Sequence, residues 1–370
     1  MAVSKLSRIT VPVVMADERA DSKIVTQFLL NTFRLHPRLT EHALMAARHC
    51  TYSAMLHPED DVEADRIPLT TGSVAEFYIE PMLPLVGDID VMFHWSTQLA
   101  IPRGHPPPTQ LPAEFHNYVK VDEIIDSHLP GYVYLKLRYL LSYCPEDEKY
   151  NYVEYQKEKY VGVIKGDGIF HGPATLTVYY GPLLSMDDVS CLRCLSWPPQ
   201  AADWPTRLIN YDWPDSATVD RVVNNGCDVV QVAHRHCRQH EWMSKTQWRL
   251  SFSRAEIVLI NSWMPVQQIV YHMLRVFMKD ERLKGIKCSF EAGTLSNYHL
   301  KTLMLWACEL KLRSWWTDDL NLIRICVELL HTLAVWLSES QCPHYFIHVC
   351  NLMDHVDNSC LLYTSPSPRD

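Results

Sequence analysis

The sequence predicts an α+β fold of two lobes, a mixed sheet followed by a helical bundle. Three observations lead there. From Thr70 to about Val189 the apolar residues come in short β-branched and aromatic runs, whereas after Thr206 they come in long stretches at helical spacing. Ahead of both, Asp21 to Cys50 sets Ile24, Phe28, Leu29, Phe33, Leu44 and Met45 at mostly helical intervals among charges, with Pro37 interrupting. That stretch predicts one long or kinked amphipathic helix, a spine for the first lobe. Finally, 370 residues with 47% hydrophobic content exceed one average domain and can bury a full core.

In chain order, the strands expected are Val74 to Ile79, Ile89 to Phe93, Tyr132 to Leu137, Tyr160 to Ile164 and Ala174 to Tyr180. Proline-rich stretches at Pro102 to Pro112 and Trp197 to Pro205 read as loops, and the second marks a lobe boundary. Residues 1–205 then form the first lobe and 206–358 the second. Helices are expected over Arg254 to Trp263, Pro265 to Lys279, Asn297 to Leu312 and Asp318 to Ser338. Residues 359–370, ending LLYTSPSPRD, are polar and lack periodicity, the pattern of a disordered or non-native tail.

A formal net charge of −9 argues against a surface that coats nucleic acid, although it allows a local basic stripe. The twelve cysteines are scattered through a core-forming chain without a paired framework, which fits reduced thiols in the cytoplasm or nucleus. Lysine and arginine interrupt Met1 to Met15, so no secretory signal is read there. The most apolar late segment, Ile323 to Leu337, carries Arg324, Glu328 and His331, which are costly at a bilayer centre, so no membrane span is read.

The chemistry begins at Thr71-Gly72-Ser73, followed after fifteen residues by Gly87-Asp88-Ile89-Asp90-Val91. On a strand, alternation puts Asp88 and Asp90 on one face and sends Ile89 and Val91 to the other. Two carboxylates that close repel unless a cation lies between them, and Mg2+ or Mn2+ is a hard cation that accepts carboxylate and phosphate oxygens together. Gly72 lets the backbone approach phosphate closely and Ser73 adds a hydroxyl donor. Taken alone, Asp-x-Asp fits a solvated strand face about as well. A third acid stands in Ser185-Met186-Asp187-Asp188-Val189, followed by Ser196-Trp197-Pro198.

Acid, aliphatic run and Ser-Trp-Pro in this order resemble the third catalytic strand of the Mab-twenty-one domain family, close to the cyclic GMP-AMP synthase-like receptors. Asp187 is the match, with Asp188 the second choice because a one-residue slip exchanges the two faces. The resemblance implies a bilobed nucleotidyltransferase fold, with Asp88, Asp90 and Asp187 as catalytic metal ligands. Two Mg2+ or Mn2+ ions ~4 Å apart would clamp the attacking and leaving oxygens of an in-line displacement.

Trp248-Arg249-Leu250-Ser251-Phe252-Ser253 is similar to the family's most recognisable stretch, in which the arginine contacts a base and the serines contact nucleotide. Alternation also lets Leu250 and Phe252 enter a core while Arg249, Ser251 and Ser253 stay available, and an Arg249 packed on Trp248 is the plain structural reading. Ser296-Asn297-Tyr298-His299-Leu300-Lys301-Thr302 is similar to the family's Ser-Tyr-His-x-Lys-Thr helix start. Ser296 or Asn297 is a good N-cap and Tyr298 could stack on a purine. Asn297 stands where the synthase has serine, which leaves the base preference open. Arg275 and Lys279, a helical turn apart, lie near where the synthase uses lysines on triphosphate; each also suits a solvated helix face. Cys342-Pro343-His344-Tyr345-Phe346 and Asn351-Leu352 extend the resemblance to about Met353.

Cys191-x-x-Cys194 lacks a second ligand pair at zinc spacing and reads as strand thiols. His234, His236, Cys237 and His240 are denser but read as a polar loop. By resemblance, ATP and GTP are the substrates, a cyclic dinucleotide messenger of innate immune sensing is the product, and double-stranded RNA or DNA is the activator. Lys149, Lys157, Lys159 and Lys165 cluster as such a ligand requires, but Glu146, Asp147, Glu148, Glu154 and Glu158 are interleaved. The other reading is a catalytically inactive scaffold of the same family that binds nucleotide or protein.

Overall fold

A computed structural model of the chain describes residues 66–72, 76, 89–162, 170–171, 174–178, 185–207, 213–237, 239–279, 296–317 and 322–354. The expected spine helix at Asp21 to Cys50, the strand at Val74 to Ile79 apart from Glu76, and the tail at 359–370 lie outside these residues.

Among the described residues ten strands form one mixed sheet. They are β1 (Arg66–Thr71), β2 (Ile89–Pro102), β3 (Tyr118–Asp126), β4 (Tyr132–Cys144), β5 (Lys149–Glu154), β6 (Phe170–His171), β7 (Ala174–Val178), β8 (Ser185–Cys194), β9 (Cys227–Val230) and β10 (Gln247–Ser251). The order is β1-β2-β3-β4-β10-β9-β8-β7-β6, with β5 on β4. A further pairing of β2 with β8 returns the path upon itself. The β2 pairings with β3 and β8 are parallel and the other ladders are antiparallel.

Two of these strands, β9 and β10, come from beyond residue 205, where a mainly helical lobe is expected. Both are short; all four residues of β9 are buried, without the alternation that marks a half-exposed strand, whereas β10 keeps the alternation read from Trp248 to Ser251. The expected strand at Tyr160 to Ile164 reduces, where described, to a single bridge between Lys136 and Tyr160.

The helices used here are α1 (Ser216–Asn225), α2 (Glu241–Thr246), α3 (Ser253–Asn261), α4 (Pro265–Lys279), α5 (Asn297–Leu310), α6 (Arg313–Thr317) and α7 (Leu322–Ser338). Pro265 opens α4 because its fixed φ suits the first helical position and its missing N–H costs nothing there. At the start of α5, Ser296 and His299 form a reciprocal capping box. Along α7 the buried Leu322, Ile325, Leu329, Leu333 and Trp336 follow helical spacing.

One hydrophobic core joins sheet and helices. It packs Val133, Leu135, Val229 and Leu250 against Leu259 of α3, Leu274 of α4, Leu303 of α5 and Leu329 of α7. A second cluster on the far side gathers Leu99, Val119, Val121 and Leu141. At a bulge between Val121 and Asp122 the alternation of β3 slips by one residue, so Val121 and Asp122 are both buried in succession and Ile124 follows Asp122 on the buried phase.

Candidate functional site

A cavity of about 440 Å3 opens where the ends of β1 and β2 face α3, α5 and the segment after Cys342. Its strand wall starts from register. β1 and β2 pair antiparallel with Thr71 opposite Asp90, and the Thr71 hydroxyl donates to the Asp90 carbonyl at 3.4 Å. Gly72 follows with φ +60°, and a methyl group built on it would run into the Asp90 carboxylate. Glycine is therefore required twice over, for the left-handed backbone and for the close approach. Asp90 lines the cavity while its neighbour Val91 is fully buried, the alternation a strand imposes.

On the other edge of β2, β8 runs parallel with Asp187 opposite Asp90 and Asp188 opposite Val91. The register thus pairs Asp187 with the cavity-lining position of β2 and Asp188 with the buried one. Met92, Cys191 and Val230, backed by Leu69 and Val189, form an apolar patch beneath. Asp88, Ser73 and the side chain of Asp187 lie outside the described residues. Among the described residues no three His, Cys, Asp or Glu side chains gather closely enough to hold a metal ion.

The second wall grows from β10. Leu250 and Phe252 are buried, and Phe252 stacks on Phe346 with ring centroids 4.5 Å apart. Arg249 is exposed and lines the cavity with Ser251 and Ser253, whose hydroxyls lie 3.1 Å apart. The Trp248 indole is engaged elsewhere, donating to the Val161 carbonyl at 3.1 Å. Beneath this wall, Arg254 Nε pairs with the fully buried Asp228 at 2.9 Å, fastening α3 to β9.

Tyr298, on the first turn of α5, completes the cavity together with His344. The Nδ1 of His344 accepts the backbone N–H groups of Phe346 and Ile347 at 3.0 and 3.2 Å. The remaining proton of a neutral ring is thereby assigned to Nε2, which donates to the Tyr298 hydroxyl oxygen at 3.2 Å. Burial pushes the His344 pKa down to about 4, so the ring stays neutral near pH 7. Burial and Glu256 raise the Tyr298 pKa, and the phenol donates to the Glu256 carboxylate. Lys301 closes the chain of contacts, its Nζ 2.8 Å from Glu256 Oε2.

Arg275 is placed differently from the sequence expectation. It is buried at 4% exposure, lies over the Tyr271 ring at 5.6 Å, and is not among the residues lining the cavity. It points inward because Leu274 and Tyr271, on the same part of α4, are core residues and draw that face of the helix against α5 and α7. Lys279 ends α4, with its side chain outside the described residues.

Glu76, Glu256, Lys301 and Asp354 carry no role in the sequence pattern, and His234, expected in a polar loop, lines the cavity. Lys301 stands inside the Ser296 to Thr302 helix start and Glu256 follows the Trp248 to Ser253 stretch by three residues, but no local pattern marks either as one half of a pair. His234 lines the cavity and pairs with Asp354 at 3.2 Å. Cys191 and Cys194 are buried thiols. On the surface, Lys136 pairs with Glu158 at 2.7 Å and Arg138 with Glu154 at 2.8 Å, so two of the interleaved acids neutralise neighbouring bases. No helix among the described residues is long and apolar enough to cross a membrane.

Residues 146–262 match the Mab-21 protein nucleotidyltransferase domain, and residues 267–364 match the Mab-21 protein HhH/H2TH-like domain. The chain is 28% identical over 175 residues to Protein mab-21-like 3 of Danio rerio, covering 46% of this chain and 40% of that protein. It is 26% identical over 173 residues to Protein male abnormal 21 of Caenorhabditis briggsae, covering 45% and 44%. It is 27% identical over 170 residues to Protein mab-21-like of Drosophila melanogaster, covering 45% and 43%. The chain thus spans less than half the length of these curated relatives. Gly72 and Asp90 precede the stretch matched to the nucleotidyltransferase domain, and strand β8 ties them to it.

Proposed function

From a chain that carries both Mab-21 domains and so belongs to that family, we propose a nucleotidyltransferase that joins ATP and GTP into a cyclic dinucleotide. The observation that carries this reading is the parallel register of β2 and β8, which pairs Asp187 with Asp90, a residue lining one cavity with Gly72, Arg249 and Tyr298. Asp88, Asp90 and Asp187 would hold Mg2+ or Mn2+, all three being hard oxygen donors. When bound, the metal neutralises charge that builds up on the transferring phosphoryl group.

The chain's own residues do the rest. Gly72 offers phosphate a backbone without a side chain in the way. Arg249 and Tyr298 present a planar cation and a phenol ring at the cavity surface, both able to stack on a base. Ser251 and Ser253 supply hydroxyl donors. Asp187 takes the proton of the attacking ribose hydroxyl, the oxygen bonds to the α-phosphorus, and pyrophosphate leaves. A second transfer within the cavity closes the ring. Most of the rate comes from positioning and charge neutralisation. Double-stranded RNA or DNA is the proposed activator, and innate immune sensing the proposed setting.

Incubating the purified chain with labelled ATP and GTP and Mg2+ or Mn2+, with and without double-stranded RNA or DNA, tests the reading. A cyclic dinucleotide on chromatography supports it. Bound nucleotide with no product under any of these conditions assigns the chain to the inactive scaffolds of its family.

A further inference from the structure

Lys301 stands where three separate pieces of the chain meet. Its ammonium pairs with Glu256 of α3 at 2.8 Å and with Glu76, which follows Gly72 by four residues. Glu256 and Glu76 are buried, with side chains 4% and 3% exposed, and Lys301 is partly buried at 12%. The Tyr271 hydroxyl of α4 adds a 3.5 Å contact to the other oxygen of Glu76. The Glu76 N–H, in turn, donates to the Gly72 carbonyl at 2.9 Å.

The energetics make this arrangement conditional on Lys301. Burial raises the Glu76 pKa, Glu256 opposes its ionisation further, and Lys301 is the largest influence in the other direction. Without the ammonium, two carboxylates would face each other in a dry site, which is strongly unfavourable. Glu76 leaving for water relieves that repulsion, because Glu256 is fixed within α3. Gly72 is hydrogen-bonded to Glu76 and abuts the Asp90 carboxylate, so it would move as well.

We propose that Lys301 is a positioning residue that pins Glu76 against α3 and α4 and thereby holds Gly72 beside Asp90. Its effect on turnover rests on the nucleotide-transfer reading; its effect on the Gly72–Glu76 contact does not. A lysine that only contributed core stability would loosen the whole domain evenly. A positioning lysine loosens this contact first.

Hydrogen exchange at the Glu76 amide, with amides of β3 and β4 as internal reference, tells the two apart. Lys301→Met is expected to speed exchange at Glu76 at least about tenfold more than at the reference amides, the ratio that about 1.4 kcal/mol of local opening produces. Lys301→Arg, which keeps the cation, is expected to restore most of the protection. Should Lys301→Met fail to fold, Glu76→Gln leaves the Lys301–Glu256 pair intact and is expected to give the same local increase. Exchange at Glu76 that stays at the wild-type rate, or rises only in step with β3 and β4, overturns the proposal. If the wild-type chain makes no nucleotide product, the proposed activity fails while the exchange result still decides the role of Lys301.

Discussion

Asp122 on β3 and Glu256 on the first turn of α3 are almost equally buried, at 1% and 3% exposure, yet their surroundings differ in kind. Neither carboxyl oxygen of Asp122 has a hydrogen-bond partner among the described residues, and burial pushes its pKa up to about 7. Glu256 has Lys301 at 2.8 Å and the Tyr298 phenol. Asp228, fully buried below the cavity wall, is like Glu256 in having Arg254 at 2.9 Å. Away from the cavity the fold accepts a buried acid by letting it take up a proton. At the cavity it supplies a cation from another element, and the cost of burial becomes a tether between elements.

The largest expected effect comes from cutting such a tether. Arg254→Met should lower stability in urea unfolding by about 3–5 kcal/mol, because Asp228 is left buried and unpaired. Adding Asp228→Asn should recover much of that loss. A single-variant loss below about 1 kcal/mol would show that Arg193, which also lies near Asp228, already compensates it.

The uncompensated acid gives the next effect, with the opposite sign. The folded pKa of Asp122 is raised from 3.8 to about 7, so its stabilising protonated state is fully present below pH 3.8 and is lost as pH rises through 7. Asp122→Asn should therefore be more stable than wild type at pH 8, by up to about 4 kcal/mol at 1.36 kcal/mol per pKa unit, with the gain vanishing below pH 4. A difference that does not change with pH would mean Asp122 is ionised in the fold. Smaller again, Gly72→Ala should cost about 1 kcal/mol or more through its φ of +60°. Isothermal titration should show weakened nucleotide binding in that variant, because the new methyl collides with Asp90. Ser296→Ala should cost about 1 kcal/mol, read as a lower Tm, by removing half of a capping box.

Legibility in the sequence followed the range of the interactions. The helix at Pro265–Lys279 starts at the proline that favours a first helical position, and the alternation from Trp248 to Ser253 shows which side chains are buried. Of the helix expected over Asp318 to Ser338, Leu322–Ser338 is helical and residues 318–321 lie outside the described ones. What could not be read is set by partners distant in sequence. Glu76 and Lys301 are 225 residues apart, and no local pattern announces that they meet. Arg275, which by resemblance belongs near the triphosphate and from its neighbours on the chain suits a solvated helix face equally, is buried by neighbours in space. Strand β9 escaped because it is short and wholly buried, and the strand register that sets Asp90 opposite Asp187 emerges only from the assembled sheet.

That register is the centre of the account, and Asp90→Asn examines it most directly, since the change removes one charge at nearly constant shape. Nucleotide transfer by the variant and by wild type should be measured side by side, together with Tm and nucleotide affinity. Turnover is expected to fall by at least ~100-fold, as for the loss of one transition-state contact, while Tm stays within a few degrees and nucleotide still binds. An Asp90→Asn protein with wild-type turnover would contradict it and remove the site from this cavity.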